Sequence, residues 1–417
     1  MKILKFPEIR RRILFSFLII IVFRLLAHVP VPGVDTAAIR SFLQGNAYLG
    51  LFDLFSGGGF QNFSIVTLGL GPYINVSIII QLLTVMIPSL EELSKEGESG
   101  REKINMYTRI FSVPMSLIQS FGIYFLLSKQ GIMGQLVGFD LVLLMLSMTA
   151  GSMLLVWIGE LVTEYGIGNG ISMLIFVGII SRLPVSIAGF VGTMDSSSIL
   201  SGLVFIALTL LVIAGVVLVN EGTRNIALEY GRRGRTSQKV TNYLPIKVNQ
   251  AGVIPIIFAV SVVMLPSVLA GPLQGASSPF LSSVGLFLAQ NFNAQALGYN
   301  LFYFFLVVGF TYFYTSIQFN PEKIADDIKK RGGFIPGIRP GSATTRYLKG
   351  IVDRITLSGA LFLGLIAILP FIAQSVGGVG NMGLGGTGLL IVVSVVLETI
   401  RQVESLTVSQ SYDSYLR

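Results

Sequence analysis

Ionisable side chains within apolar runs are the residues of this sequence best placed to do chemistry inside a membrane. Two pairs are each spaced one helical turn apart, and a single group lies near the end of the last run: Arg24 with His28, Glu160 with Glu164, and Glu398. Groups of this kind form the proton relays and ion sites of transporters and membrane enzymes. We favour the structural alternative, in which each side chain bonds to a neighbouring helix or extends to the membrane interface.

Motifs of hydrolytic and nucleotide chemistry are absent from the sequence. With His28 as its only histidine, the chain cannot carry an H-E-x-x-H zinc site, and without cysteine it has no thiolate ligands or disulfides. It also has no G-x-S-x-G element. The glycines of "YGIGNGIS" (165–172) precede no P-loop lysine, so they are better interpreted as a tight turn between two helices. We therefore predict no catalytic residue, no metal site, no cofactor and no enzyme activity.

The composition is that of a membrane protein. Of the 417 residues, 52% are hydrophobic and 12% are charged, which is about half the charged fraction of soluble proteins. Apolar runs of roughly 20 residues recur along the whole chain, and each is continuous rather than alternating. Continuous runs favour membrane helices over barrel strands. The sequence therefore predicts an all-α polytopic membrane protein without a large soluble domain.

About ten of these runs have the length of a membrane span. They are 13–31, 67–88, 107–128, 141–163, 170–190, 199–219, 251–271, 299–319, 354–374 and 386–404. The first run comes after a basic N-terminus, as in a signal peptide, but no A-x-A cleavage site comes after the run. We therefore expect an uncleaved span. Lysine and arginine cluster in 2–12, 95–109, 224–247 and 323–354. With ten spans all four clusters lie on one side, which predicts a cytoplasmic-membrane protein with both termini in the cytoplasm.

Ten spans divide into two sets of five at about residue 195. We predict an N-terminal half over 1–195 and a C-terminal half over 196–417. Because each half has an odd number of spans, the two halves are expected to be inverted relative to each other. Inverted repeats build pathways at the membrane midplane.

Two predicted cytoplasmic loops, at about 220–249 and 320–353, are long for so apolar a chain. Both mix basic residues with Tyr, Ile and Pro, the second also contains Phe, and the whole chain has a net charge of +8. One interpretation is orientation by positive charge with contact to lipid headgroups. The other is docking to a large partner, including one with exposed phosphates.

The stretch "LFDLFSGGGFQNF" (51–63) lies between the first two spans and is too short to cross a bilayer. It and six further stretches, in the same order along the chain, resemble the SecY family of channel-forming translocon subunits. The seven are "RRILFSFLIIIVFRLLAHVPVPGVD", "LFSGGGFQNFSIVTLGLGPYINVSIIIQLL", "EGESGREKINMYTR", "GIGNGISMLIF", "LPIKVNQAGVIPIIFA", "FNPEKIADDIKKRGGFIPGIRPG" and "GGTGLLIVV". The resemblance covers nearly the whole chain and is looser between spans seven and eight and in the C-terminal tail.

The resemblance implies a gated protein-conducting channel between the two halves. Such a channel passes unfolded secretory polypeptides and releases transmembrane segments sideways into lipid. A short plug helix at about 48–64 would close its central pore, with Leu51, Phe52, Leu54, Phe55, Ser56, Gly57, Gly58 and Gly59. An aliphatic pore ring, which resists ions without holding a passing chain, would consist of Leu70, Ile74, Ile171, Ile175, Ile257 and Ile391.

The resemblance also implies a lateral gate and several partners. The gate would lie between spans two and seven, with Asn75, Ser77, Gln81, Pro255 and Pro266. The SecE and SecG subunits would accompany the chain. The motor ATPase SecA or the ribosome would drive it, because the sequence has no Walker motif. Their docking residues would be Arg232, Arg233, Arg235, Lys247 and Arg339, with no sequence-specific binding of nucleic acid.

A secondary transporter with five-plus-five inverted repeats is the main alternative, since it also suits ten spans. It requires broken helices with polar or ionisable groups at the midplane, whereas the candidate lining residues here are aliphatic. A membrane enzyme is the third alternative, and it lacks candidate catalytic residues. Solute uptake by the reconstituted protein distinguishes a transporter from a channel.

Overall fold

The computed structural model describes residues 6–31, 36, 38–39, 56–129, 131–134, 136, 138–192, 199–230, 242–274, 278–292, 296–377 and 386–416. Helices dominate this part of the chain. In order, its elements are α1 (Pro7–Leu26), α2 (Gly71–Met86), α3 (Pro88–Lys95), α4 (Glu98–Lys129), α5 (Phe139–Tyr165), α6 (Gly170–Gly192), α7 (Ile199–Glu221), β1 (Thr223–Tyr230), β2 (Asn242–Lys247), α8 (Ile254–Gln274), α9 (Pro279–Asn291), α10 (Leu297–Gln318), α11 (Pro321–Lys330), β3 (Gly333–Phe334), α12 (Ser342–Gly377) and α13 (Gly386–Leu416).

Each of the ten predicted spans coincides with one helix, namely α1, α2, α4 to α8, α10, α12 or α13. Within the described residues, four segments are long and apolar enough to cross a membrane unaided: Glu98–Ser128, Phe139–Tyr165, Leu297–Lys330 and Ser342–Leu369. Helices α2 and α3 are long and apolar enough to cross a membrane only when they are taken together, and they are bent by 102° relative to each other. The chain therefore has several membrane-spanning helices, as the sequence predicts, and the count of ten stays a prediction.

The bend between α2 and α3 has a local cause. Pro88 begins α3, and the residue before a proline is disfavoured in the helical region. Ile87 accordingly takes extended angles, with φ −108° and ψ 112°. Ile87 therefore ends α2, and the chain changes direction there before α3 begins.

By packing, the chain divides into two compact units. The first comprises 1–193 together with 395–417, and the second comprises 194–394. The last segment of α13 thus packs with the first unit, whereas sequence analysis assigns it to the C-terminal half. Units are defined by packing and halves by membrane topology, so the inverted halves stay a prediction.

The first unit packs around the chain between α1 and α2. Phe63 and Leu68 of this connection are buried with residues of α4 and α5, including Leu127 and Met148. Gly151 of α5 allows the close approach, because a Cβ there would lie 1.9 Å from the carbonyl oxygen of Ile65. Helices α4 and α5 thus form the core of the first unit and also hold the connection between α1 and α2 in place.

The second unit has an aromatic contact among its helices. The ring of Phe258 in α8 meets the rings of Phe310 and Tyr314 in α10 edge-on, with centroids 6.0 and 6.5 Å apart. Edge-to-face contacts at this distance are favourable for aromatic rings. Gly364 of α12 packs on the ring of Phe304, which lies 2.7 Å from the position of an added Cβ.

The two predicted cytoplasmic loops fold together rather than remaining irregular. Strands β1 and β2 pair antiparallel with Ile226 opposite Leu244, and β3 pairs with β1, in the order β2-β1-β3. The sheet packs on α11 and α12 around a common core of Ile226, Leu228, Ile246, Ala325, Ile328, Ile335, Leu348 and Val352. Sequence analysis missed these strands, although alternate burial at Ile226 and Leu228 is the period expected of a half-buried strand. After its predicted location, we call this assembly the cytoplasmic platform.

We expect Gly151→Ala to destabilise the protein, because the new methyl group meets a fixed backbone carbonyl. Overpacking of this kind typically costs about 1–3 kcal/mol. The matched control is Gly122→Ala in α4, where an added Cβ meets nothing within 4 Å. Thermal unfolding in detergent, followed by the fluorescence of the single tryptophan, measures both. Equal unfolding temperatures for the two variants would contradict the close approach of α5.

Candidate functional site: the glycine segment and the cytoplasmic platform

The chain from Ser56 to Leu70, here called the glycine segment, consists of consecutive turns between α1 and α2. Gly57 and Gly58 have φ of +67° and +88°, in the left-handed region that favours glycine. The N–H of Phe60 donates to the Ser56 hydroxyl at 3.0 Å, which closes the turn around the glycines. The predicted plug is therefore a set of turns from Ser56 onwards. Its other residues, Leu51, Phe52, Leu54 and Phe55, lie outside the described part.

The C-terminal part of the glycine segment is firmly anchored. Three hydrogen bonds join it to α5 and to the chain after α1: Val31 N–H to the Phe63 carbonyl (2.8 Å), Ile65 N–H to the Val29 carbonyl (3.1 Å), and the Ser152 hydroxyl to the Gly69 carbonyl (2.9 Å). Phe60 and Phe63 are fully buried. Backbone hydrogen bonds and apolar burial together make this part a fixed element of the first unit.

The N-terminal part of the segment is held by two arginines. Nη1 of Arg24 in α1 donates to the Gly57 carbonyl at 2.7 Å and to the Ser181 hydroxyl of α6 at 2.9 Å. Nη2 of Arg182 in α6 donates to Oε1 of Gln61 at 2.9 Å. Sequence analysis interpreted Arg24 as a structural polar group and did not connect either arginine with the segment. The contacts join residues far apart in sequence, and no local pattern indicates them.

Two of the three adjacent glycines, Gly57 and Gly59, are needed for close packing, and of these only Gly57 also has a left-handed backbone. A Cβ at Gly57 would lie 2.5 Å from the ring of Phe23 and 3.3 Å from Cα of Gly178. At Gly59 it would lie 2.9 Å from the Val66 carbonyl. At Gly58 it would meet nothing within 4 Å. Gly58 is therefore the one position of the three with open space around it.

The six predicted ring residues all lie at or near the beginning of a helix. Leu70 precedes α2 and Ile74 is in its first turn, and the Ile74 N–H donates to the Leu70 carbonyl at 3.0 Å. The remaining four lie in the first turns of α6, α8 and α13: Ile171, Ile175, Ile257 and Ile391. All are buried except Ile171, which is half-buried. The six are divided between the two units, so a closed ring stays a prediction.

The predicted lateral-gate residues lie on α2 and α8. Asn75, Ser77 and Gln81 are half-buried on α2, and on α8 Pro255 is buried and Pro266 half-buried. Oε1 of Gln81 is buried and has no hydrogen-bond partner among the described residues. A buried amide oxygen without a partner is uncommon in folded proteins. The assignment of a gate to these helices stays a prediction.

Arg339 is the exposed tip of the cytoplasmic platform. The Thr344 hydroxyl, which is buried, donates to the Arg339 carbonyl at 3.0 Å and fixes the turn. Gly337 and Gly341 flank it with φ of +80° and +107°. Among the described residues the Arg339 side chain has no ion pair. A fixed backbone with an exposed guanidinium suits contact with an anionic partner.

The other predicted docking residues are Arg232, Arg233, Arg235 and Lys247. Lys247 is exposed at the end of β2, opposite Thr223 of β1. The three arginines lie outside the described residues.

Two of the remaining ionisable candidates, Glu160 and His28, have structural partners. Arg109 of α4 pairs with Glu160 of α5 at 3.2 Å, and Nδ1 of His28 lies 2.8 Å from the Arg24 carbonyl. The described residues contain no group of three or more metal-ligating side chains. The described part of the site offers no acid, base or nucleophile arranged for a reaction.

Comparison with known proteins identifies the family. Residues 64–400 match the model of the SecY family. Protein translocase subunit SecY of Thermus thermophilus is 42% identical, over 99% of this chain and 96% of its own length. Protein translocase subunit SecY of Mycobacterium tuberculosis is 41% identical, over 99% of this chain and 98% of its own. The resemblance inferred from the seven sequence stretches is confirmed.

Solved structures share the fold. A protein-conducting channel has a TM-score of 0.63 at 19% identity and covers 98% of this chain and 96% of its own. Sec61 in the canine ribosome–channel complex from the endoplasmic reticulum has a TM-score of 0.59 at 19% identity, with the same coverage.

We expect Gly57→Ala to loosen the glycine segment, because its methyl group meets the Phe23 ring. Gly58→Ala is the control, since it shares the positive φ but meets no neighbour. Hydrogen–deuterium exchange of the amides in 56–63 measures local opening. We expect exchange at least tenfold faster for Gly57→Ala than for Gly58→Ala, which corresponds to about 1.4 kcal/mol. Equal rates would show that contact with Phe23 does not hold the turn.

Proposed function

This chain belongs to the SecY family, and on that premise we propose that it is a gated protein-conducting channel. It passes unfolded secretory polypeptides across the membrane and releases transmembrane segments sideways into lipid. The carrying observation is the glycine segment, which is anchored at its C-terminal end and held by exchangeable hydrogen bonds at its N-terminal end. Such a segment can close the pore at rest and can still move aside, because only one of its ends is firmly anchored.

The seal has two parts in this proposal. The plug, 48–64, closes the pore at rest and moves aside when a polypeptide enters, with Gly58 as the position around which it turns. The aliphatic ring then limits leakage around the passing chain. Branched aliphatic side chains form a dewetted constriction, and they offer no polar group that would retain the polypeptide.

Lateral release requires two helices that separate at low cost. We assign this gate to α2 and α8. Gln81 supports the assignment, because its buried amide oxygen has no partner among the described residues and so contributes no hydrogen bond to the closed state. Small and polar residues at Asn75 and Ser77 are compatible with a helix contact that parts.

The cytoplasmic platform is the proposed docking surface for SecA and the ribosome. Its fold supports this role, since a packed core holds Arg339 at a fixed tip instead of on an irregular loop. A pre-ordered contact loses little conformational entropy on binding. The ribosome-bound Sec61 channel of the same fold supports the ribosome as a partner.

The proposal includes the location and the subunits. The chain spans the cytoplasmic membrane with both termini in the cytoplasm and is accompanied by SecE and SecG. It is a passive pore without enzyme activity, and the driving energy comes from its partners. A secondary transporter is the alternative function. Coupled uptake of a small solute by the reconstituted protein would favour the transporter and contradict the channel.

We expect Ser56→Cys to be protected from a water-soluble maleimide at rest and to react when a stalled secretory chain occupies the channel. Ser56 is 1% exposed, and the chain has no cysteine of its own. The labelling rate should rise at least tenfold on engagement. Ser112→Cys, a fully buried position in α4, is the control and should stay protected in both states. Equal protection of Ser56→Cys with and without the engaged chain would contradict a displaced plug.

We expect Arg339→Glu to abolish SecA-driven translocation while leaving insertion of the protein into the membrane unchanged. The substitution reverses the charge at the exposed tip of the platform. Arg101→Glu is the control, because it makes the same charge change at an exposed position at the start of α4. Translocation into vesicles by both variants is the measurement. Normal transport by Arg339→Glu, or equal loss in both variants, would argue against docking at Arg339.

A further inference from the structure

Helix α9 has no part in the channel as proposed above. It lies in the connection between predicted spans seven and eight, and its 13 residues are too few to cross a bilayer. An apolar helix of this length is typical either of a buried core or of a segment at the membrane interface. Of the residues of α9 only Gly285 is buried, so α9 is not a core helix.

The exposed side of α9 is largely apolar and has no charge. Phe280 and Phe287 are 74% and 59% exposed, and Leu286 is exposed as well. The two phenylalanines are seven residues apart, so they lie on the same side of the helix. The exposed polar residues of α9 are the neutral Ser283 and Gln290. An exposed apolar patch of this kind marks a surface for a membrane or for a protein partner.

The sequence around α9 lacks charge over a long stretch. No Asp, Glu, Lys, Arg or His occurs from Val248 to Pro321. The connection between predicted spans three and four, which has the same predicted location, contains Lys129 and Asp140. A connection that lies in water has no reason to exclude charged residues, whereas a charge placed in lipid is costly. The absence of charge on both sides of α9 therefore favours lipid over water as its surroundings.

The middle of α9 is closely packed on the last residues of α8. Nε2 of Gln274 donates to the Gly285 carbonyl, and the Ser282 hydroxyl donates to the Gln274 carbonyl, both at 3.3 Å. A Cβ at Gly285 would lie 2.4 Å from the amide nitrogen of Gln274. Helix α9 and the end of α8 are therefore held together by backbone approach as well as by hydrogen bonds.

The apolar surface of α9 is continuous with that of α10. The ring of Phe292, which follows α9, meets the ring of Phe302 in α10 edge-on, with centroids 5.7 Å apart. Leu301 and Phe305 of α10 are exposed, and α10 belongs to a segment that is long and apolar enough to cross a membrane. Exposed apolar side chains of such a segment contact lipid acyl chains, which are as apolar as leucine. The lipid-facing surface of α10 thus extends to α9.

We propose that α9 is an interfacial helix that binds membrane lipid, with Phe280 and Phe287 among the acyl chains, and that it anchors the end of α8 in the outer leaflet. Ser283 and Gln290 then lie at the level of the lipid headgroups, as the polar face does in other interfacial helices. Lipid binding by α9 does not depend on whether the chain conducts polypeptides. Because α8 is one of the two helices assigned to the lateral gate, the anchor fixes one end of that gate to the lipid, and this consequence alone rests on the proposed function.

Tryptophan fluorescence in proteoliposomes tests the contact with lipid. Trp157→Phe removes the single native tryptophan, and Phe287→Trp then supplies the only one. Phe280→Trp in the same background is a second, independent probe. We expect lipids brominated near the headgroup to quench both probes at least twofold more than lipids brominated at the end of the acyl chain. Acrylamide, which stays in water, should quench both weakly.

Tyr243→Trp in the same background is the control for exposure to water, since Tyr243 is 61% exposed on β2 of the cytoplasmic platform. It should be quenched by acrylamide and not by brominated lipid. If the α9 probes behave like Tyr243→Trp, α9 lies in water and the proposal is wrong. Protection from both quenchers would mean that protein covers α9, either a second copy of the chain or another subunit, and would equally overturn lipid binding. Strongest quenching by bromine at the end of the acyl chain would contradict an interfacial position.

Gly285→Ala tests the anchoring of α8. Its methyl group meets the backbone of Gln274 and should separate the two helices. We expect hydrogen–deuterium exchange in the last turn of α8 to become at least tenfold faster in proteoliposomes, while the lipid quenching of Phe287→Trp persists. Gly309→Ala in α10 is the matched control, because an added Cβ there meets nothing within 4 Å. Equal exchange in the two variants would show that α9 does not hold the end of α8. None of these measurements involves translocation, so failure of the proposed channel would leave them unchanged.

Discussion

The requirement that backbone polar groups find partners away from water governs the architecture of the first unit. Helices meet this requirement internally, but the chain from Ser56 to Leu70 does not form a helix. Its carbonyl and amide groups are instead bonded within its own turns and to the surrounding elements, with Arg24 and Ser152 among the outside donors. Non-helical chain at membrane depth is tolerated only when protein encloses it. Residues of α4, α5 and α6 contact the segment and supply that enclosure.

Glycine makes this enclosure possible in two different ways. Gly151 removes a side chain from α5 so that the helix can approach the Ile65 carbonyl. Gly57 combines a left-handed backbone with contact to the Phe23 ring, whereas Gly58 has the backbone angle without the contact. Close packing at Gly57 and Gly59 is therefore interrupted at Gly58.

The cytoplasmic platform depends on a different balance of forces. Lying outside the apolar helices, it is stabilised like a small soluble domain, by burying one face of a three-stranded sheet on α11 and α12. Its charged residues are then free to occupy the exposed surface, with Arg339 fixed at a turn by Thr344. The same chain thus combines long apolar helices with a small assembly that is stabilised by burying one face of a sheet.

The sequence by itself determined the helices, because a long apolar run such as 141–163 predicts a helix without knowledge of distant contacts. It also determined the family, through seven stretches in the same order along the chain. It also showed that "LFDLFSGGGFQNF" is too short to cross a bilayer. The tertiary structure alone decided that Arg24 meets Gly57 and Ser181, and that Ile226 and Leu348 share one core. These contacts join residues far apart along the chain. Local periodicity reports which face of an element is buried, but not which distant residue covers it.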